Sequence, residues 1–361
     1  MNRILAQLAF GFLAATFVSA GTPTHEYHVL PPVTKGNLSI FPIVGGPEGS
    51  TTHLLTLDEG VRAGLVVVAE EGSLQGLIRP GTTIPRNSRA EVNRLVLVNN
   101  SDRPLLLLAG EVVTGGKQDR VIALDRIVPP KSGPMDLSVF CVEHGRWVGS
   151  SEHFGSMKSQ MAQPSVRLPA MAEHSQQGVW DRVESAVGGM AAAAPQASPS
   201  LHATTSYAKA MQNPEVEKTV GSIASDYDGL LRELHKVGAK GVVVAINGRI
   251  TWADVFASTD LLEKYWQKLI RSYAADSLTT VSARGQADQK SAQLFLDQLQ
   301  GTREVTETEP GLFRRTEISG DGYKVFTLTS LLPKYEYIVH LAKMACSYFA
   351  WREVHSEPMV R

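Results

Sequence analysis

The side chains that could do chemistry crowd into one stretch of this chain. From Leu105 to Trp147 it reads LLLLAGEVVTGGKQDRVIALDRIVPPKSGPMDLSVFCVEHGRW. Glu111, Gln118, Arg120, Cys141, Arg146 and Trp147 stand there among apolar neighbours. Charged and amide side chains are seldom buried unless paired or functional, so their density among apolar strands points to a site. Glu111 is a candidate general acid or base. Arg120 and Arg146 can hold an anionic group, and Gln118 and Trp147 can orient a ring-bearing molecule. Cys141 is a nucleophile only where Arg120, Arg146 or a His lowers its pKa; otherwise it is an inert buried thiol.

The elements that must position these residues can be read from the same letters. Leu105 to Leu108 is an unbroken apolar run, which fits a strand buried on both faces. Thr114-Gly115-Gly116-Lys117 interrupts the run that follows, and a Gly-Gly pair supplies the positive φ of a tight hairpin. The chain returns as Gln118 to Val128 and stops at Pro129-Pro130, which cannot donate to a ladder. A two-residue loop pairs Thr114 with Lys117, and a four-residue loop pairs Val113 with Gln118. Both place Glu111 opposite Arg120, so that Glu111, Gln118 and Arg120 share a face. A three-residue bulged loop would break that register. The plain structural alternative is a cross-strand ion pair of Glu111 with Arg120, contributing roughly a few tenths of a kcal/mol. A third strand is expected over Leu137 to Glu143, with Val139, Cys141 and Glu143 on one face, before the His144-Gly145-Arg146-Trp147 turn.

AGE, GGKQDR and CVEHGRW, followed later by GAKGVVVAINGRITWADVFASTDLLEKYWQKLIRSYA, resemble a known family. It is the family named for its gene-neighbourhood association with ADP-ribosylglycohydrolases and rhodanese-phosphatases, a domain of unassigned activity suspected of an enzymatic role. The resemblance spans residues 29–346. It implies a site built from Glu111, Lys117, Gln118, Arg120, Cys141, Arg146 and Trp147. By residue type, Glu111 and Cys141 are the candidate catalytic members and the other five the candidate substrate-binding ones. The association suggests ADP-ribose or nucleotide-related chemistry.

The rest of the chain sets the context. With 361 residues, 43% hydrophobic and 20% charged, it has enough material for a normal globular core. A net charge of -1 with no dominant basic stretch argues against a nucleic-acid binder held by phosphate contacts. Arg3, the apolar run Ile4 to Phe17 and the small residues Val18-Ser19-Ala20 read as an export signal cut after Ala20. That run is short for a bilayer span of ~20 residues, so an extracytoplasmic protein with no stable membrane span after cleavage is expected. Cys141 and Cys346, the only cysteines, could pair in an oxidising compartment or remain thiols.

Turn signals between short apolar runs predict an α+β protein. An antiparallel β-rich N-terminal lobe (29–148) precedes an irregular linker with a short helix (149–212) and a C-terminal α/β lobe (213–346). These make a single family domain, followed by a tail at 347–361. A helix is expected over Gln177 to Val187, a mobile loop over Gly188 to Thr205, and one helix over Glu215 to Val237. A hairpin turning at Asn247-Gly248 should follow. A helix capped by Ser258 or Thr259 comes next, with Lys264, Lys268 and Arg271 on a solvated or ligand-bordering side away from its apolar stripe.

Several familiar constellations are absent. GEVVTGGKQ has the wrong glycine spacing for a phosphate loop and lacks the Ser or Thr for Mg²⁺. No GxSxG elbow, HExxH or Cys-x-x-Cys occurs, so no metal is expected and no cofactor can be named. Two readings remain: an exported enzyme acting on an anionic, ring-bearing small molecule, or a non-catalytic ligand-binding or envelope-interaction module.

Overall fold

The computed structural model describes residues 27–70, 94–145, 153–280, 285–309 and 311–346. The segment read as an export signal and the tail from 347 lie outside those residues. The chain opens with β1 (Tyr27–Val29), β2 (Val33–Lys35) and β3 (Leu38–Gly45). β4 (Leu55–Thr56) runs into α1 (Leu57–Arg62), where Thr56 and Glu59 form a capping box. Next come β5 (Val66–Ala69), β6 (Arg94–Asn99), β7 (Leu105–Leu107), β8 (Glu111–Thr114), β9 (Arg120–Ile122), β10 (Arg126–Val128), β11 (Met135–Cys141) and β12 (His153–Met161). A helical stretch follows: α2 (Pro164–Leu168), α3 (Gln176–Ala193), α4 (Ser198–His202), α5 (Tyr207–Met211), α6 (Pro214–Ser225) and α7 (Asp228–Lys236). The chain then forms β13 (Gly241–Ile246), β14 (Arg249–Phe256), α8 (Thr259–Leu278) and α9 (Gln289–Asp297). It ends in the meander β15 (Thr302–Glu309), β16 (Phe313–Gly320), β17 (Tyr323–Leu332) and β18 (Tyr335–Ala345).

The class is α+β, with mostly antiparallel sheets. Strands from both ends of the chain share one nine-stranded sheet, in the order β1-β3-β13-β14-β18-β17-β16-β15, with β2 on β3. β11-β6-β5-β12-β8-β9 close into a six-stranded barrel, and β10-β7-β4 make a small third sheet. Among the described residues, no helix is long and apolar enough to cross a membrane.

The apolar run at Leu105 is buried on both faces because it lies between two cores. Leu105 and Leu107 join the barrel core, while Leu106 and Leu108 join the main core. The barrel wall repeats this division. Val113 and Ile122 face one core, and Val112 and Val121 face the other. Period-2 alternation with apolar residues at both phases is what such a partition requires.

Local turn chemistry holds where it was legible. Asn247 (φ 53°) and Gly248 (φ 74°) both take the positive φ of a primed turn between β13 and β14. Ser258 caps α8, its side chain accepting from the Leu261 N–H. Two readings need correction. The Ala-rich stretch after Gly188 is helical, because α3 runs on to Ala193 and α4 follows. Alanine has the best helix propensity, and Ala191, Ala194, Ala197 and Leu201 are buried. The single helix expected over 215–237 is instead α6 and α7. Between them Tyr227 turns its hydroxyl inward, donating to the Leu38 carbonyl (2.6 Å) and accepting from the Lys35 N–H (3.1 Å).

Candidate functional site

The Gly-Gly hairpin forms, with Gly115 (φ 136°) and Gly116 (φ 52°) at its tip. Its register differs from the expected one. Val112 pairs with Val121 and Val113 with Arg120, so Arg120 lies opposite Val113 and not Glu111. The loop is longer than either length considered, because two contacts hold it open. The Asp119 carboxylate accepts from the Gly115 N–H (3.2 Å), and the Lys117 N–H donates to Glu70 (2.9 Å), drawing the tip toward the end of β5.

The motif residues therefore divide. Arg120 and Cys141 come together at one end of the barrel, and Gln118 lies in the hairpin loop just before β9. Cys141 is the cross-strand partner of Arg120 in the β9–β11 ladder, and Gln118 precedes Arg120 by two positions. All three are buried. Burial pushes the Cys141 thiol up, against the opposing pull of Arg120, so it is held as a thiol and not as a reactive thiolate. The Gln176 side-chain amide pairs with both the N–H and the carbonyl of Cys141 (2.9 Å each), in the manner of one more strand. Just beyond β11, Glu143 bridges to Ser206, whose hydroxyl donates to Asp119 (3.1 Å). Lys117 projects at the surface with a loose ion pair to Glu70 (3.8 Å). Arg146 and Trp147 lie outside the described residues.

Gln118 is the unusual member. It is 0% exposed, and among the described residues neither Oε1 nor Nε2 of its amide has a hydrogen-bond partner. An unbonded buried amide costs roughly 1–3 kcal/mol. Native proteins keep few such groups, and each calls for an explanation.

Glu111 belongs elsewhere. Its carboxylate forms an ion pair with Lys268 of α8 and accepts from the Leu108 N–H (2.9 Å). Asp58 of α1 reaches the same ammonium at 3.0 Å. Burial raises the Glu111 carboxyl pKa; Lys268 opposes that shift and Asp58 adds to it. Burial alone would lower Lys268, but the two carboxylates more than offset it and hold the ammonium charged. Both Glu111 oxygens are thus engaged inside the protein, and the side chain is buried. Lys268, expected on a solvated face, is 3% exposed. The correction has a simple cause: α8 packs against β12 and α6 as well as the sheet, so its polar side is covered too.

A second buried network lies on the other side of the same turn. The Ala109 N–H donates to Asp125 (2.7 Å), and Asp125 accepts from His340 Nδ1 (2.6 Å). His340 Nε2 meets Asp254 at 3.2 Å, and Arg167 grips Asp254 through both terminal nitrogens, each at 3.2 Å. Tyr273 donates to Asp254 as well, and the Arg167 guanidinium lies 4.4 Å above the Trp252 ring. Burial would lower His340, but Asp125 and Asp254 raise it to about 9. Arg167 and His340 hold the Asp254 carboxyl well below the usual carboxylate range.

The sequence profile of the ARG and Rhodanese-Phosphatase-superfamily-associated Protein domain matches residues 26–344. The chain belongs to that family. No curated protein and no solved structure matches it. Membership in this domain family brings no assigned reaction, so function rests on the geometry of the motif residues. Sequence reasoning named Asp119, Glu143 and Lys268 only for the face they occupy, and passed over Ser206, Arg167, Asp254 and His340. Asp254 in TWADVF and His340 in YIVHLAKMA carried a usable signal, since each is a charged or titratable residue inside an apolar strand.

Proposed function

We propose that the chain is an extracytoplasmic ligand-binding domain for an anionic, ring-bearing small molecule, held at the barrel end by Gln118 and Arg120. One observation carries this reading: the fully buried Gln118 amide, with neither end bonded among the described residues. An amide offers a donor and an acceptor side by side, which suits the edge of a heterocycle. Arg120 supplies a cation whose fork matches phosphate or carboxylate. Lys117 adds a cation at the rim, and Arg146 and Trp147 continue the motif past Gly145. Their residue types suit an anion and a ring. The family's association with ADP-ribosylglycohydrolases and rhodanese-phosphatases makes ADP-ribose the first probe. The letters of residues 1–20 support export.

Binding without catalysis is favoured by the two residues that would have done the chemistry. Glu111 is sealed against Lys268, and Cys141 is held as a thiol. The test is calorimetric titration of ADP-ribose into the wild-type chain and Gln118→Leu. We expect saturable binding that weakens about tenfold or more in the variant, while its thermal stability stays equal or rises, because the unbonded amide is gone. Unchanged affinity in Gln118→Leu, or no binding to wild type, would sink the reading. Turnover of ADP-ribose by wild type would restore the enzyme alternative.

A further inference from the structure

A cavity of about 480 Å³ lies between α3 and the segment that runs from α4 to Thr205, with His144 beside it. Its volume falls in the range of roughly 300–1,000 Å³ usual for small-molecule sites. From α3 it is lined by Gln177, Trp180, Asp181, Glu184 and Gly188. Their spacing of three, one, three and four positions places them on one stripe of the helix. Val183, Val187 and Leu201, all buried, supply an apolar wall.

The lining is one-sided in charge. Asp181 and Glu184 stand one turn apart, and neither has a lysine or arginine three or four positions away on α3. Like charges at that spacing destabilise a helix unless a cation offsets them. Among the described residues that line the cavity there is no lysine or arginine. The Gln177 amide donates to Asp181 Oδ1 (2.7 Å) and holds that carboxylate in place. Among the described residues, Glu184 has no hydrogen bond or ion pair. Trp180 is steadied by an edge-to-face contact with His144, the ring centroids 4.6 Å apart and the planes at 83°. Indole is the best aromatic partner for a cation. Gly188 adds an independent observation. A glycine inside a helix is destabilising relative to alanine, and here a Cβ would meet nothing within 4 Å. Packing does not require the glycine, and the open space beside it adjoins the cavity that it lines.

We propose that this cavity binds an organic cation: a primary amine on a short chain that ends in an aromatic ring. Its ammonium lies between the Asp181 and Glu184 carboxylates, beside the Trp180 indole, and its ring lies on Val183, Val187 and Leu201. The ammonium makes charge-assisted hydrogen bonds to the acids and relieves their repulsion. A lining with acids and no basic partner selects against anions. Both acids are exposed at the mouth, so each contributes modestly, and the apolar wall supplies much of the affinity. The site uses neither Gln118 nor Arg120, and its charge preference is opposite to that of the ADP-ribose reading, so the two stand or fall separately.

The experiment is calorimetric titration of the full chain with 2-phenylethylamine. 2-Phenylethanol and 3-phenylpropionate are run alongside; they keep the ring and chain but carry a neutral group and an anion. We expect the amine to bind with Kd of about 1 mM or tighter, the alcohol about tenfold more weakly and the carboxylate more weakly still. The double variant Asp181→Asn/Glu184→Gln should cost the amine about tenfold and leave the binding of the alcohol unchanged. Gly188→Leu grows a side chain into the open space and should abolish amine binding, while its melting temperature stays equal or rises, because leucine is the better helix former. Gln118→Leu should bind the amine as wild type does. The proposal is overturned if the amine does not bind, if the carboxylate binds as tightly, if the double variant or Gly188→Leu keeps full affinity, or if Gln118→Leu abolishes binding. A lower melting temperature in Gly188→Leu would show that the space is not open, and would count against the proposal as well.

Discussion

His340 is the residue whose titration the structure constrains most. Its ring is fully buried, with a carboxylate at each nitrogen, and its pKa is raised to about 9. A raised folded-state value means that this stabilisation is complete below the ordinary histidine value of 6.5 and is lost as pH climbs through about 9. Lys343 acts in the opposite sense. Burial lowers it to about 7, so its share of stability grows as pH rises from there toward 10.5. A stability curve of the wild type alone would mix the two. The informative quantity is the difference in unfolding free energy between wild type and His340→Gln, since Lys343 is common to both. We expect that difference to be largest near pH 6 and to shrink toward pH 10, measured by urea unfolding; a flat difference would mean that His340 is not charged in the native state. Cys141 gives a second test at this scale. With 0% exposure and a thiol pushed up by burial, it should resist a thiol reagent in the native state and react on unfolding. Labelling of Cys141 as fast as an unfolded thiol would contradict the placement.

Among the elements, the Leu108–Glu111 turn and α8 carry the most strain-sensitive packing. Gly110 sits at φ 97°, and a Cβ there would lie 2.6 Å from the Arg167 side chain. Gly110→Ala combines a disfavoured backbone with a clash against a buried ion pair. We expect a loss of about 2–4 kcal/mol in chemical denaturation. Lys268→Met removes the cation shared by Glu111 and Asp58 and leaves buried charge behind, at a cost of about 3–5 kcal/mol. The double variant Lys268→Met/Glu111→Leu should recover part of that loss; full additivity would show that the two do not interact. The same pair shows where sequence reading stopped. Strands, the Asn247-Gly248 turn and the Ser258 cap were legible because they depend on neighbours a few residues away. Lys268 and Glu111 are 157 positions apart, and nothing local to either says that they meet. The hairpin slipped for a related reason. Its loop length is set partly by Glu70, which belongs to another strand end. The register error was two residues, and an even slip keeps Arg120 on its expected face of the hairpin; that Cys141 stands opposite it was not legible, because β11 pairs with β9 from outside the hairpin.

At the scale of the whole molecule, the large sheet takes strands from both ends of the chain. β3 lies between β1 and β13, so residues 27–45 complete a sheet whose other strands come from residues 241–345. The barrel is closed from segments between 66 and 161; α8 reaches it through Lys268 on Glu111 and Ser272 on Ala162, and reaches the third sheet through Tyr265 on Leu106. A polypeptide of residues 213–346 would therefore expose the β13 edge that β3 covers, and the buried side of α8 that packs on β12. Leu38, Ile40, Phe41 and Ile43, each 0% exposed in the full chain, would be missing from its core. An uncovered central strand edge with apolar flanks invites aggregation. We expect that fragment to be insoluble, or to lack the sharp amide dispersion of a folded domain. The full chain should unfold in one cooperative step, with fluorescence from Trp252 and Trp266 changing together with far-ultraviolet dichroism. Two resolved transitions, or a soluble fragment with native-like hydrogen exchange, would show that barrel and sheet are separable bodies.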